Sequence, residues 1–418
     1  MADQPRAQSI LDALSSTREW QADLYRDLHQ HPELSHQEHR TSKLVTERLR
    51  GLGLDVHDGI GGTGVVGILR NGDGPTVLAR ADMDALPVAE ATGLPYASTE
   101  QAQDRSGTTV PVMHACGHDV HVTCLLGAVE LLSRGTGHWS GTFVALFQPA
   151  EEFGDGAARM VDDGLAGVLP PIDVALSQHV LPAPSGIVGT RSGPVLSAAD
   201  SMRITLYGRG AHGSMPQAAV DAVVLAASVV MRLQTVVARE VAPTDIAVLT
   251  IGALHAGTKS NVIADSSTLE LNIRTYSDQV RDKVLGAIRR IVEAECQAAG
   301  SPRPPEFELY DHFPPTINDD AVTARVTDAL TGFFGDRLVQ LPLQPASEDF
   351  SDIPRALGVP YTYWGFGGID PERYQRAEAE GRIDQDIPVN HSPTFAPVMQ
   401  PTLDTGTEAL VVAALAWL

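Results

Sequence analysis

SMRITLYGRGAHGSMP (Ser201–Pro216) opens the segment whose reading decides the fold, and that segment closes near His312. Met202–Tyr207 alternates as a strand, and Val220–Arg239 carries apolar residues at helical spacing. Ile246–Leu254 and Thr268–Thr275 read as two further strands, Gln279–Ala299 as a second helix, and Glu306–Tyr310 as a closing strand. The order β-α-β-β-α-β is the ferredoxin-like arrangement, a complete α+β unit with its ends close together. The expected organisation is therefore a discontinuous first domain, 1–195 and 313–418, interrupted by an insert over 196–312.

Outward from the insert the rhythm changes. The first stretch, to about residue 50, reads as helices, with Leu24, Leu28, Leu44, Val45 and Leu49 at helical spacing and a break at His31-Pro32. Apolar runs follow at Gly64–Arg70, Thr76–Ala81, Thr142–Gln148, Ile172–Gln178 and Val359–Phe366, separated by helical stretches such as Val120–Ser133. Strands alternating with helices predict an α/β layered domain with a mostly parallel sheet. A chain of 418 residues also exceeds what one ordinary core organises.

Composition narrows the function. A formal net charge of −22 and the lack of any Lys/Arg cluster argue against a nucleic-acid partner. Three cysteines, Cys116, Cys124 and Cys296, are too few for a disulfide framework. The N-terminal MADQPRAQSILDALSS has no basic start followed by an apolar run. No continuous apolar stretch reaches the length of about 18 residues that spans a bilayer. The expectation is a cytoplasmic protein with no membrane partner.

Polar clusters sit where candidate strands of the first domain end. Thr76–Ala81 runs into Asp82-Met83-Asp84, and Val110–Met113 into His114-Ala115-Cys116-Gly117-His118-Asp119. Phe143–Gln148 ends in Pro149-Ala150-Glu151-Glu152, and Val174–Ser177 leads into Gln178-His179. Ligands of open α/β sheets bind beyond the carboxyl ends of strands, so these clusters are expected to converge. Cys, His and Glu suit zinc and, with more oxygen donors, manganese. Gly117 lets Cys116 and His118 face one ion, although either residue alone also reads as an ordinary core or helix-start residue. Adjacent Glu151 and Glu152 leave their strand in different directions. One can bind an ion while its neighbour takes a proton from water, whose pKa a metal lowers towards ~7.

Two tempting motifs fail. Gly59-Ile60-Gly61-Gly62-Thr63-Gly64 matches a dinucleotide fingerprint but runs into VVGILRNGDG, a strand and turn rather than a helix. His114 and His118 are four apart, yet Ala115 stands where HExxH needs glutamate.

HQHPELS (His29–Ser35), RADMDALP (Arg80–Pro87), MHACGHDVH (Met113–His121), FQPAEE (Phe147–Glu152), GRGAHGSMP (Gly208–Pro216), NVIAD (Asn261–Asp265) and SEDF (Ser347–Phe350) occur in order. Together they resemble the amidohydrolase branch of the metallo-aminoacylase and carboxypeptidase family, which includes hippurate and auxin-conjugate hydrolases. QEH (Gln37–His39) and NHSPTFAP (Asn390–Pro397) are similar to a subgroup with N-acyl-glutamine aminoacylases. The resemblance implies Cys116, His118, Glu152, His179 and His391 as ligands of one or two divalent ions, zinc or manganese. It implies Glu151 as general base and acid, and Asp84 as the aspartate that orients a ligand. It further implies that the first domain is catalytic and that the insert is a dimerisation or lid domain. His212 would then reach a partner subunit's site to stabilise an oxyanion, and Asn261 and Arg274 would meet the substrate carboxylate. The implied activity is hydrolysis of small N-acyl amino acids by a homodimer. A dipeptidase or carboxypeptidase, or a non-catalytic metal-binding protein, are the alternatives. SQHV (Ser177–Val180) and Gln217 depart from the family's usual residues there but leave the implied ligands intact.

Overall fold

The computed structural model describes residues 4–418; Met1–Asp3, the start of the stretch read for a leader, lie outside them. It is mixed α/β, and it separates into two compact units. The first comprises residues up to Gly193, Asn318–Pro342 and Asp349–Leu418; the second comprises Pro194–Ile317 and Leu343–Glu348. The second unit thus extends past the expected 196–312 at both ends and also takes residues from the returning chain. Leu196 bridges Gln344, and Ser197 donates its amide to Ala346, which explains that addition.

The first unit is built on an eight-stranded sheet, ordered Asp55–Ile60, Gly64–Asn71, Gly141–Gln148, Thr76–Asp82, Val174–Pro184, Tyr361–Ile369, Val188–Thr190 and Leu338–Gln340. Its central pairs are parallel, and the Asp55–Ile60/Gly64–Asn71 hairpin joins antiparallel at one side. The Gly59–Gly64 run is the turn of that hairpin and opens no helix. Thr76–Asp82 and Tyr361–Ile369 are buried throughout, as strands covered on both faces must be. Helix His118–Arg134 is buried along nearly its whole length and therefore shows little amphipathic pattern. It packs with helices Arg18–Gln30 and Met399–Leu415 in a core that includes Leu125, Phe143, Leu176, Phe366 and Leu410. Each such side chain stabilises the fold by roughly 1.5–3 kcal/mol on burial.

Three strands of this eight-stranded sheet escaped the sequence reading: Asp55–Ile60, Val188–Thr190 and Leu338–Gln340. The first is polar and mostly exposed, and the other two have only three residues each, too few to show a period.

In the second unit the four-stranded antiparallel sheet is ordered Ala247–Ala256, Ser266–Thr275, Ala198–Tyr207, Glu306–Phe313. Helices Ala222–Arg239 and Asp278–Ala299 bury Leu225, Val229, Leu233, Val284, Ile288 and Ile291 together with Met202, Ile204, Leu269 and Leu271 of the strands. Asp221 and Ser277 cap these helices by accepting from Val223/Val224 and Val280 amides. The expectation that no segment suits a bilayer needs a qualification. Among the described residues, helix Ala222–Arg239 is long and apolar enough to cross a membrane by length and composition, with mean hydropathy 1.6. Its run is broken by Ser228, Arg232 and Gln234, and its Leu225–Val236 face packs on the sheet.

Candidate metal centre

Four loops of the first unit meet at the sheet's carboxyl edge. Arg80, fully buried near the end of Thr76–Asp82, donates to Asp82 (2.6 Å), to Gln148 Oε1 (2.9 Å) and to Asp349 (3.3 Å). Gln148 Nε2 also donates to Asp349 at 2.6 Å, so the ends of two neighbouring strands share one polar clamp. Strand Val174–Pro184 behaves differently from expectation. His179 does not end it but lies within it, opposite Gly365. Its pairing with Thr76–Asp82 stops at Ser177, so beyond that point one side of the strand is released. His121 fills that side.

His121 Nε2 accepts the Val180 amide at 2.9 Å, which obliges its Nδ1 to carry the proton that it gives to Asp82. Both of its nitrogens are thus spent, and it supports a neighbour instead of binding an ion. That neighbour is His179, whose ring centroid lies 4.4 Å away. His179 Nδ1 donates to the Val180 carbonyl at 2.7 Å, leaving the Nε2 lone pair 3.4 Å from Cys116 Sγ. His118 opens its helix after Gly117, which is left-handed at φ 84°. A side chain at Gly117 would meet Val180 Cγ1 at 2.4 Å, so only glycine fits between Cys116 and His118.

His118 Nδ1 lies 3.2 Å from Asp84, and its Nε2 lies 3.9 Å from both Glu151 Oε2 and Glu152 Oε1. His391, at φ 69°, is placed by its own amide on the Ala115 carbonyl (2.8 Å) and by Asn390, which donates to the Cys116 carbonyl at 3.1 Å. Its Nε2 lies 3.3 Å from Glu152 Oε1. Asp84, Cys116, His118, Glu151, Glu152, His179 and His391 therefore come together. Within the first unit three donor groups emerge, Asp82–His118–His121–His179, Cys116–Glu152–His391 and His118–Glu151–Glu152, each with its atoms within 4.8 Å of one another, and in the first of them the His121 nitrogens are already engaged.

These residues fit a cation. His118 Nε2 is buried and makes no hydrogen bond, and it lies 3.9 Å from Glu152 Oε1, which it shares as a neighbour with His391 Nε2 at 3.3 Å; a buried nitrogen lone pair beside a carboxylate costs free energy unless positive charge lies between them. The surrounding titrations show the same demand. Burial opposes a charge on His118, yet Asp82 and Cys116 hold its imidazole well above the usual range. Hydrogen bonds to Cys116 and Glu152 push His391 up to about 10. A thiol, imidazoles and carboxylates together form a donor set that suits a divalent cation.

Three of the expected site residues lie in the second unit. His212 and Asn261 sit on facing segments of a small ribbon, where Gly213 donates to the Asn261 carbonyl at 2.8 Å. His212 Nδ1 accepts the Ser214 amide at 3.2 Å, which leaves Nε2 to carry the ring's N–H on the exposed side. Arg274 donates to the Pro345 carbonyl (3.0 Å) and to Ser347 Oγ (2.9 Å). The supporting Asp82, His121 and Asn390 received no role from the sequence, although their motifs were visible. The signal was their place beside ligand candidates, and their function depends on contacts between distant strands. The loops are also braced from behind by His29, buried between Asp119 (2.7 Å) and Glu90 (3.1 Å).

A model of the peptidase family M20/M25/M40 matches residues 78–388. The chain is 35% identical to thermostable carboxypeptidase 1 of Saccharolobus solfataricus over 88% of this chain and 92% of that protein. It is 37% identical to N-acetyl-L-cysteine deacetylase of Bacillus subtilis over 73% and 70%, respectively. Among solved structures it resembles the Bacillus subtilis YXEP protein, described as a dinuclear metal-binding peptidase of the M20 family. There the TM-score is 0.77, with 27% identity and coverage of 96% of this chain and 98% of that one.

Two outcomes follow from this geometry. His121→Phe, which keeps a ring and removes both hydrogen bonds, is expected to weaken metal affinity about 10–100-fold, measured by chelator competition; unchanged affinity would contradict the supporting role. His29 is held at about 9 by Asp119 and Glu90 against the opposing effect of burial. Its folded value exceeds the unfolded ~6.5, so the ion pair stabilises fully below pH ~6.5 and fades as pH rises through about 9. The stability gap between wild type and His29→Gln in denaturant titrations should shrink across that window, and a constant gap would exclude the charged pair.

Proposed function

We propose, from the premise that this chain belongs to peptidase family M20/M25/M40 and is a metal-dependent hydrolase of amide bonds, that it cleaves N-acyl amino acids into a carboxylic acid and a free amino acid. The observation that carries the reading is Glu151, buried 3.9 Å from His118 Nε2 and beside Glu152, which two of the donor groups share. A deacetylase among the relatives favours this substrate class, while a carboxypeptidase among them keeps peptide substrates as the second reading.

Cys116, His118, Glu152, His179 and His391 would hold one or two ions of zinc or manganese, with Glu152 common to the Cys116 and His118 sides of the cluster. The metal, when bound, supplies a Lewis acid that polarises the amide carbonyl and acidifies water. Glu151 takes the water proton at its carboxylate and returns it to the leaving nitrogen, help typically worth ~10²–10⁴-fold. Asp84 orients His118 through the 3.2 Å contact and thereby aims Nε2 at the ion. His212, with Nε2–H presented outward, donates to the developing oxyanion, an effect worth roughly 10²–10³-fold. Asn261 and Arg274 receive the substrate carboxylate, Arg274 by exchanging its bonds to Pro345 and Ser347.

The proposal includes a homodimer in which His212 serves the partner's site. Its support is the second unit's surface. Val224, Met231 and Val248 are exposed at 61%, 72% and 50%, and strand Ala247–Ala256 is an edge of its sheet. An unpaired edge beside exposed apolar side chains is the usual character of an interface.

The chelated protein, assayed for free amine on N-acetyl, N-benzoyl and long-chain N-acyl amino acids and on dipeptides, should be silent until zinc or manganese is restored. Glu151→Gln should then lose nearly all turnover and keep its metal. Release from dipeptides alone would move the assignment to a peptidase, and metal loss in Glu151→Gln would remove its proton-transfer role. Met231→Asp should shift sedimentation to the monomer and depress turnover as His212→Ala does. An active monomer would refute the shared site.

A further inference from the structure

The turn that presents Glu151 is not held by its own sequence. Ala150 is left-handed (φ 52°, ψ 42°), a conformation that a residue with a side chain adopts only when its surroundings impose it. Within the turn the backbone supplies only Gly154 N–H to the Glu151 carbonyl (2.8 Å) and a long bond from Gly156 to the Ala150 carbonyl (3.3 Å). Arg159 donates to Asp155 (3.0 Å) and Asp349 accepts the Ala157 amide (3.0 Å), while Ala150 itself is held from the Ser35–Glu38 segment. Glu38 Oε1 accepts the Ala150 amide at 2.8 Å and the His36 amide at 2.9 Å, and its Oε2 accepts the Thr63 hydroxyl at 2.6 Å. Ser35 donates to Asp84 Oδ2 (2.6 Å), which also accepts the Glu152 amide (3.0 Å). His36 Nε2 meets Asp155 at 2.8 Å. Three residues of this short stretch, Glu38, His36 and, through Asp84, Ser35, thus grip 150–155 at three points.

Glu38 also occupies the N-cap position of helix His39–Gly51, yet its side chain does not cap that helix. Glu33 does so instead, accepting the Arg40 and Thr41 amides at 2.8 Å each. An acceptor at an N-cap ordinarily satisfies its own helix; here the task has passed to Glu33, and Glu38 is free to turn inward, where it is fully buried.

We propose that Glu38 is a positioning residue for Glu151, acting as a hydrogen-bond acceptor that holds the left-handed Ala150 turn, with its charge dispensable. Burial and the nearby Asp84 push its carboxyl up to about 7, which accords with an acceptor that need not be ionised. The consequence for turnover rests on the reading of Glu151 as the proton-transfer group, whereas the grip on the turn does not.

The experiment compares Glu38→Gln with Glu38→Asp. Glutamine keeps the Oε1 acceptor at the same reach, and the Thr63 hydroxyl can rotate to accept from the new amide. Aspartate keeps the charge but falls short of Ala150. Glu38→Asp should lower kcat on an N-acyl amino acid about 100-fold, the usual scale for misplacing a catalytic group by ~1 Å, with KM and metal content nearly unchanged. Glu38→Gln should restore kcat to within about fivefold of wild type, against that ~100-fold scale. In the metal-free protein, amide hydrogen exchange of the peptide carrying Ala150 should be fast in the Asp variant and protected in wild type and Gln. Equal impairment of both variants would show that the charge is not dispensable and overturn that part of the proposal, impairment of Gln alone would assign the role to charge, and wild-type exchange and rate in the Asp variant would remove the grip. Metal lost in step with rate would shift the role to Glu152. If exchange behaves as expected but Glu151→Gln stays active, the grip stands and the reading of Glu151 falls.

Discussion

A guanidinium with no access to water is the constraint on which the first unit's working edge depends. Arg80 must find partners in the interior, because an unpaired buried charge would cost several kcal/mol. It finds Asp82, Gln148 and Asp349. Asp82 in turn is satisfied by His121, and His121 by the Val180 amide next to His179. Asp349 reaches on to the Ala157 amide just past the Glu151 turn. The electrostatic needs of one side chain thus register three strand ends and the loops that leave them.

The same economy explains why so many site residues are doubly employed. Asp84 accepts from Ser35 and the Glu152 amide while contacting His118. Glu38 spans two backbone amides and a hydroxyl. In a dry interior each carboxylate lone pair left idle is costly, so such networks tend to close on themselves. His118 Nε2 is left over from them, facing Glu151 and Glu152. The second unit follows a plainer logic. Its helices and sheet bury one face each, and the apolar residues on the outer face of Ala222–Arg239 remain exposed.

Much of this was legible from patterns. Alternation in Met202–Tyr207 and Thr268–Thr275 and helical spacing in Gln279–Ala299 correspond to observed elements within a few residues at their ends. Long periodic segments carry their own evidence. Asp55–Ile60 did not, because an edge hairpin strand with exposed polar side chains lacks an apolar period. His179 was expected at a strand's end, but an isolated run cannot show that one neighbour stops at Ser177 while the other continues to Pro184.

The candidate site divides in the same way. Cys116, His118, Glu151 and Glu152 could be picked out from residue type beside apolar runs, since local chemistry and strand endings are both written in order along the chain. His391 needed a resemblance, because a histidine in NHSP has no local feature that sets it apart from any loop histidine. Only the tertiary structure shows that both His121 nitrogens are engaged while His179 Nε2 faces Cys116, because that depends on which ring nitrogen a backbone group claims. It alone decided that Glu38 serves Ala150, more than a hundred residues away. Sequence by itself determined which residues were available and which segments would be buried. Which lone pairs remain for a ligand depends on what neighbouring groups from other strands and loops have already claimed, and that is known only once the chain is packed.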